Sequence, residues 1–395
     1  MPEYLTPAVY VEETSYRSKS IEGVATSTFG MAGRTEYGPV PYHADNTPVI
    51  VGPTLVSSLT EYERAFGGLR VGDDPCWLAL SARAFFANGG RRLYVSRVFP
   101  FGEEPKIDRP KYFASLPVPA QAQASLVRWW ARWPGAFGGR IKVTVGFRRS
   151  RSVLFGGVLK GVAPGAAVEL AAAGAAVPKD GELPKAQNLK IVARAADGRF
   201  GYRGADGAVE PPADDGQAFH ITLTVTVAVG SDRADVYSGL EVDSEHPRSI
   251  TNVLQLQDPP DEFALVWLEL PDPRPDPGQL LSDLLEATDG AFLTGGGSGD
   301  PLSPEDLIGD VADPDDVGRP ATGLEALGEI DDIAIVAMPD TAAFTAEQQR
   351  KAAVDGLIDH CERQRYRMAV VDPAADSSIS EVRAFRSQFD TKYAA

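Results

Sequence analysis

Two hydrophobic periodicities divide the chain. Between about residues 106 and 255 apolar positions recur at every second residue: Ile141, Val143, Val145 and Phe147 share one face, as do Ile221, Leu223, Val225, Val227 and Val229. With the Ala/Gly/Pro turns around them, these alternations predict a β-rich unit. Elsewhere the apolar runs are continuous. Phe263 to Leu268, Ile333 to Ala337 and Met368 to Val371 predict strands covered on both faces. Helical stripes lie between them: Leu280, Leu281, Leu284 and Leu285 form one, and Val354, Leu357, Ile358 and Cys361 form another, opened by a capping pattern at Thr345 to Gln348. Ser378 to Glu381 caps a last helix.

Near the start, Thr60 to Glu63 reads as a capping box with Gly67 at the helix end. Asp74-Pro75 opens a second helix, with Pro75 at its first position and Trp77, Leu80, Ala84 and Phe85 inward. Asn88-Gly89-Gly90 stops it, and Leu93 to Val98 forms the next strand. Alternation of buried strands with amphipathic helices predicts an open α/β sheet with helices on both faces, its three late strands in one mainly parallel sheet. The expected layout is an extended arm over 1–20, the first part of the α/β core over 21–105, an inserted β-rich peripheral domain over 106–255, and the rest of the core over 256–395. In the arm, Val9 and Val11 alternate with Tyr10 and Glu12, and Glu13 begins a polar stretch. The alternation predicts a strand with no local hairpin partner.

Composition narrows the class. No apolar run approaches the roughly 20 residues that a membrane span needs, and no secretory signal precedes the first strand, so cytoplasmic synthesis is expected. A net charge of −17 opposes general binding to nucleic acid and permits a basic protein partner. Cys76 and Cys361 stand alone, each with the character of a small buried residue.

Several segments, in order, resemble the phage tail sheath family, which also supplies contractile injection systems. Tyr4 to Glu13 is similar to that family's opening, with Ala8 where the family has glycine. Ile21 to Thr28 with Gly38-Pro39, Phe85 to Gly90 with Leu93 to Val98, and Ala131 to Gly138 follow. Leu293 to Gly296, Thr322 to Leu327 and Asp331 to Pro339 resemble the glycine loop, helix and core strand of the central domain. The resemblance implies a subtilisin-like α/β core without protease function, a peripheral inserted domain, and arms linking neighbours through Val9, Tyr10, Val11, Glu12 and Glu13. It also implies partners: other sheath subunits in stacked sixfold rings, an inner tube, and baseplate and cap proteins, assembled in a phage tail or an injection particle. After Ala395 a sheath would continue into a tube-facing C-terminal domain, which this reading expects to be absent. The alternatives are a sheath-like cap or baseplate-adjacent ring and, from another class, a subtilisin-like hydrolase.

Candidate chemistry is sparse, and no catalytic residue, cofactor or metal ion is expected. Gly295 to Asp300 has the glycines of a phosphate-cradling loop but not the Gly-Lys-Ser/Thr ending, which favours a flexible turn. Ser298 fails the nucleophile-elbow pattern because Asp300 stands where that motif needs glycine. His43, His220, His246 and His360 lack the flanking sequence of a catalytic base. Asp243, Glu245 and His246, and Asp313, Asp315 and Asp316, lack the spacing of a metal loop. Arg128 to Arg151 carries seven basic residues beside Trp129, Trp130 and Trp133; the alternation puts Lys142 and Arg148 on the wet face of a strand.

Overall fold

The computed structural model describes residues 28–44, 47–102, 109–119, 126–172, 174–179, 181–204, 207–286, 289–374 and 376–395. The arm residues Val9, Tyr10, Val11, Glu12 and Glu13 lie outside the described residues. The described residues begin with strand β1 (Thr28–Gly33), followed by β2 (Thr54–Val56), helices α1 (Leu59–Phe66) and α2 (Trp77–Ala87), and β3 (Arg92–Arg97). Both helices start differently from the sequence reading. Ser58, not Thr60, caps α1, its hydroxyl accepting from the Glu61 amide at 3.2 Å. The Cys76 sulfur caps α2, while Asp74-Pro75 pairs with Arg70-Val71 in a short ladder. Consequently Leu78, Ala79 and Ala82 face the core and Leu80 and Ala84 face out. The run Trp77 to Leu80 is apolar at every position, so only the true start selects the buried face.

The middle of the chain builds antiparallel sheets from β4 (Ala114–Pro117), β5 (Arg128–Ala131), β6 (Ile141–Ser152), β7 (Ala167–Ala171), β8 (Leu189–Arg194), β9 (Phe200–Arg203), β10 (Val209–Glu210), β11 (Gln217–Val229) and β12 (Arg233–Leu240). The antiparallel pairing continues past residue 255, through β13 (Val266–Glu269), helix α3 (Pro277–Leu285), β14 (Ala291–Phe292) and β15 (Thr294–Gly295). One sheet has the order β10-β9-β8-β7-β11-β6-β14, with β12 also beside β11; the other has the order β13-β5-β4-β15. The first of these sheets is built on the long β6/β11 pair, in which Val145 sits opposite Val225 and nine consecutive residue pairs run from Ile141↔Val229 to Arg149↔Ile221. Val143, Val145, Leu223, Val225 and Val227 are buried, as the two-residue period requires.

Here one expectation fails. The apolar run 263–268 does not join the parallel sheet; it becomes β13, antiparallel to β5 with Trp267 opposite Trp130. A continuous apolar run reports burial on both faces but not the identity of the hydrogen-bonding neighbour. The cluster around Trp129, Trp130 and Trp133 supplied the burial instead.

The chain then returns through α4 (Pro304–Ile308), α5 (Gly323–Leu327), β16 (Ile335–Ala337), α6 (Glu347–Gln364), β17 (Met368–Val370) and α7 (Ile379–Arg386). The resulting five-stranded sheet has the order β17-β16-β1-β3-β2, parallel except for the edge strand β2. Thus 333–337 and 368–371 do contribute strands to a common parallel sheet. Helices cover both faces: Tyr62, Phe66, Leu78 and Ala82 pack on Met31, Leu93 and Val95, while Leu307, Leu324, Val354 and Leu357 pack on Ala32, Val336 and Ala369. Val354, Leu357, Ile358 and Cys361 are buried on α6, although Ala346 rather than Thr345 occupies its cap position. Ser378 and Glu381 form the expected reciprocal box on α7. At the far edge, Ala369 bridges Ala394, so residues 393–395 pair along β17. The architecture is mixed α/β, with several sheets.

Candidate functional site

In open parallel sheets, loops beyond the carboxyl ends of the strands converge and can hold a ligand. Here those ends carry Arg34 after β1, Arg97 at the end of β3, and Asp340 three residues after β16. The Arg34 amide donates to Asp340 Oδ2 at 2.7 Å, and Arg34 Nε stands 3.7 Å from Oδ1. Burial raises the Asp340 carboxyl above its ordinary range; the Arg34 amide and guanidinium oppose that shift only in part. Gly33 is a requirement of this contact, since a Cβ there would run into Asp340 Oδ2.

Beside the pair, the Cys76 thiol donates to the Arg34 carbonyl at 3.3 Å. Burial pushes this thiol up to about 11, so it is not a poised nucleophile. The Tyr62 hydroxyl is buried nearby with no hydrogen-bond partner among the described residues, and burial raises it well above the ordinary phenol range. Arg97, only 4% exposed, donates to the carbonyls of Gly38 at 2.7 Å and Pro134 at 2.8 Å, tying the end of β3 to two loops. Burial lowers its guanidinium to about 9. Arg34, Arg97 and Arg140 border a cavity of about 240 Å³.

The four histidines are scattered. His360 is fully buried on α6, its Nε2 accepting from Arg367 at 2.9 Å. His220 meets Glu241 at 2.6 Å on the antiparallel sheet, and His246 Nδ1 accepts from the Arg248 amide at 3.1 Å. The ring of His43 is outside the described side chains. Among the described residues, no serine, threonine or cysteine side chain hydrogen-bonds a histidine ring, and no group of His, Cys, Asp and Glu side chains has metal-binding geometry. Asp243 and Glu245 are both taken by Arg203. Asp313 accepts from the Asp315 amide and Asp316 from the Gly318 amide, which makes that acidic stretch a self-bonded turn.

No family model matches the sequence, and no curated protein matches it. Among solved structures, the sheath tail protein of Desulfitobacterium hafniense aligns at 10% identity, with a TM-score of 0.38, over 92% of this chain and 52% of that one. The chain therefore spans about half the length of that protein. The residues must carry any functional reading.

The basic segment from Arg128 to Arg151 is largely consumed internally. Arg132 donates to the Glu262 carbonyl at 2.7 Å and lies 4.7 Å from the centre of the Trp133 ring; Arg149 pairs with Glu169 at 2.9 Å; Arg140 pairs with Glu36. The glycine loop is a close-approach turn. A Cβ at Gly299 would lie 2.6 Å from the Pro100 carbonyl oxygen and one at Gly296 would lie 2.8 Å from that of Gly135, and both have positive φ. Sequence reasoning missed the carboxyl-end cluster, although one signal was present. Period-2 alternation places Arg97 on the face of Leu93 and Val95, so a cation was due to be buried there. No helix among the described residues is long and apolar enough to cross a membrane.

Proposed function

We propose that this chain is a structural, non-enzymatic subunit of a contractile tail sheath, with a subtilisin-like core, that polymerises head-to-tail around an inner tube. One observation carries the reading: the segments resembling the sheath family come together in space. The strand Leu93 to Val98 and the strand within Asp331 to Pro339 supply β3 and β16, which flank β1 in one parallel sheet, and the segment Ile21 to Thr28 reaches the first residue of β1 at Thr28. Ala131 to Gly138 meets Leu293 to Gly296, with Gly296 closely packed against the Gly135 carbonyl. Segments far apart in sequence thus share two structural neighbourhoods, which independent chance likenesses have no reason to do.

In this reading a heterologous interface repeated with an axial rise builds a helix rather than a closed ring. The extended lattice stores free energy at assembly and releases it when it shortens, driving the tube through a target envelope. The arm residues Val9 to Glu13 add a strand to a neighbouring subunit and keep the lattice connected as the folded bodies rotate.

Deleting residues 1–20 tests this. Circular dichroism melts should be nearly unchanged, while negative-stain microscopy should show loss of the long tubular assemblies that the full chain forms with its tube partner. Tubes of normal length from the shortened chain would refute the linking role. Discrete rings from the full chain, or peptide hydrolysis lost on changing a serine, would replace the sheath reading with a cap or a hydrolase.

A further inference from the structure

We infer that the cavity at the carboxyl end of the parallel sheet is a binding site for a small oxyanion, no larger than a phosphate, sulfate or phosphomonoester, held by Arg34, Arg97 and Ser298. Three observations converge. Arg97 is a buried cation whose two terminal nitrogens bond only carbonyls, at Gly38 and Pro134, and whose Nε has no partner. A buried charge is normally paired, because leaving it uncompensated in a low-dielectric interior is costly. No carboxylate among the described residues supplies that pairing; its titration is depressed by burial, relieved only by Cys76 and Tyr62. An anion in the adjoining cavity would supply the missing charge.

The second observation is Arg34. Its amide and Nε face Asp340, but its terminal nitrogens have no partner among the described residues and its side chain remains 25% exposed, so the outer edge of the guanidinium is available. The third is the glycine loop. Its close packing brings Ser298 from the antiparallel part of the molecule to the rim of the same cavity, where neither its hydroxyl nor its amide has a partner among the described residues. A guanidinium fork and a hydroxyl are oxyanion donors. The volume of about 240 Å³ is below that of pockets for drug-sized ligands, which sets the size limit.

Two acids also border the space and decide the test. Glu36 is engaged by Arg140 and by the Gly68 amide at 2.8 Å. Asp73 is exposed, with no cation paired to its carboxylate among the described residues, so it opposes an incoming anion. The bound anion would bridge the ends of β1 and β3 to the loop at 295–299, joining the parallel layer to the antiparallel sheets. The site does not depend on the sheath reading, because the isolated full chain suffices to test it.

Isothermal titration of the full chain with inorganic phosphate, against chloride of matched ionic strength, should give saturable binding with a dissociation constant below ~1 mM. Arg34→Met should weaken it at least about tenfold. Asp73→Asn, a change at an exposed position that leaves the fold intact, should tighten it about two- to threefold by removing a like charge. Absence of saturable heat up to ~10 mM phosphate would overturn the site, since binding that weak has no specific counter-ion role. So would equal binding by the original chain and the Asp73→Asn variant, even if Arg34→Met fails to fold.

Discussion

The antiparallel and parallel parts of this molecule solve backbone satisfaction in different ways. The β6/β11 pair runs for nine consecutive residue pairs, and its inner face alternates with a wet face. The five-stranded sheet relies on strands of three to six residues, and its neighbours β1, β3 and β16 are separated by long stretches of chain. The first region carries much of its stabilisation in one long ladder. The second depends on helices laid over both faces, and on residues 393–395 along the β17 edge. An antiparallel ladder can therefore be read from one strand at a time, whereas a parallel sheet is specified only by the ensemble of elements that cover it.

The comparison can be broken at its cores. Trp129 is among the largest fully buried side chains of the antiparallel region and Leu93 of the parallel one. Trp129→Ala should cost about 3–5 kcal/mol and Leu93→Ala about 2–5 kcal/mol in urea unfolding. Amide exchange sharpens the same contrast: residues 221–229 should be protected longer than 335–337. Faster exchange in the long ladder would reverse the assignment of the more robust region.

A smaller effect isolates one polar cluster of the parallel layer. Burial alone would raise the Glu325 carboxyl, but the His360 ring and the Arg363 guanidinium outweigh it and hold the group below its ordinary 4.5. His360 Nδ1 is 3.5 Å from Glu325 Oε1 and lacks hydrogen-bond geometry, so we assign the anchoring to the Arg363 ion pair that meets the same oxygen. A carboxyl depressed in the folded state contributes stability that is fully present above its unfolded value and is lost as pH falls through the folded one. Glu325→Gln should therefore be less stable at pH 7, and the gap should close as pH drops below 4.5. A gap independent of pH, measured by urea melts across that range, would mean that the substitution acts through packing.

The smallest effect is expected at α7, none of whose residues is fully buried and whose Phe385 packs only on the edge of the core. Removing its cap with Ser378→Ala should cost about 0.5–2 kcal/mol of local helix stability while leaving the global melt almost unmoved. Loss of global stability would show that α7 is integral to the parallel layer.

What the sequence disclosed follows the same divide. The faces of β6 and β11 were legible because side-chain direction in a strand has a period of two, and the stripes of α3 and α6 because their polar faces are distinct. The partner of 263–268 was not legible, since three continuous apolar runs look alike and only tertiary packing separates β13 from β16 and β17. The start of α2 was hidden by an apolar run with no polar face to set its phase. At the candidate site, Arg97 was foreshadowed by its place in the alternation of β3. Its meeting with Arg34, Arg140 and Ser298 joins positions scattered from 34 to 298, a proximity that no local pattern encodes.

The β6/β11 pair also has a mechanical meaning. At roughly 3.3 Å per residue, a 13-residue strand is about 43 Å long. Load applied along the strand axes, from opposite ends, falls on the whole ladder at once and must break its hydrogen bonds together. Load applied across one end meets them one at a time. The same two strands are thus a stiff tie in one direction and a peelable seam in the other, and the direction of pull decides which the molecule presents.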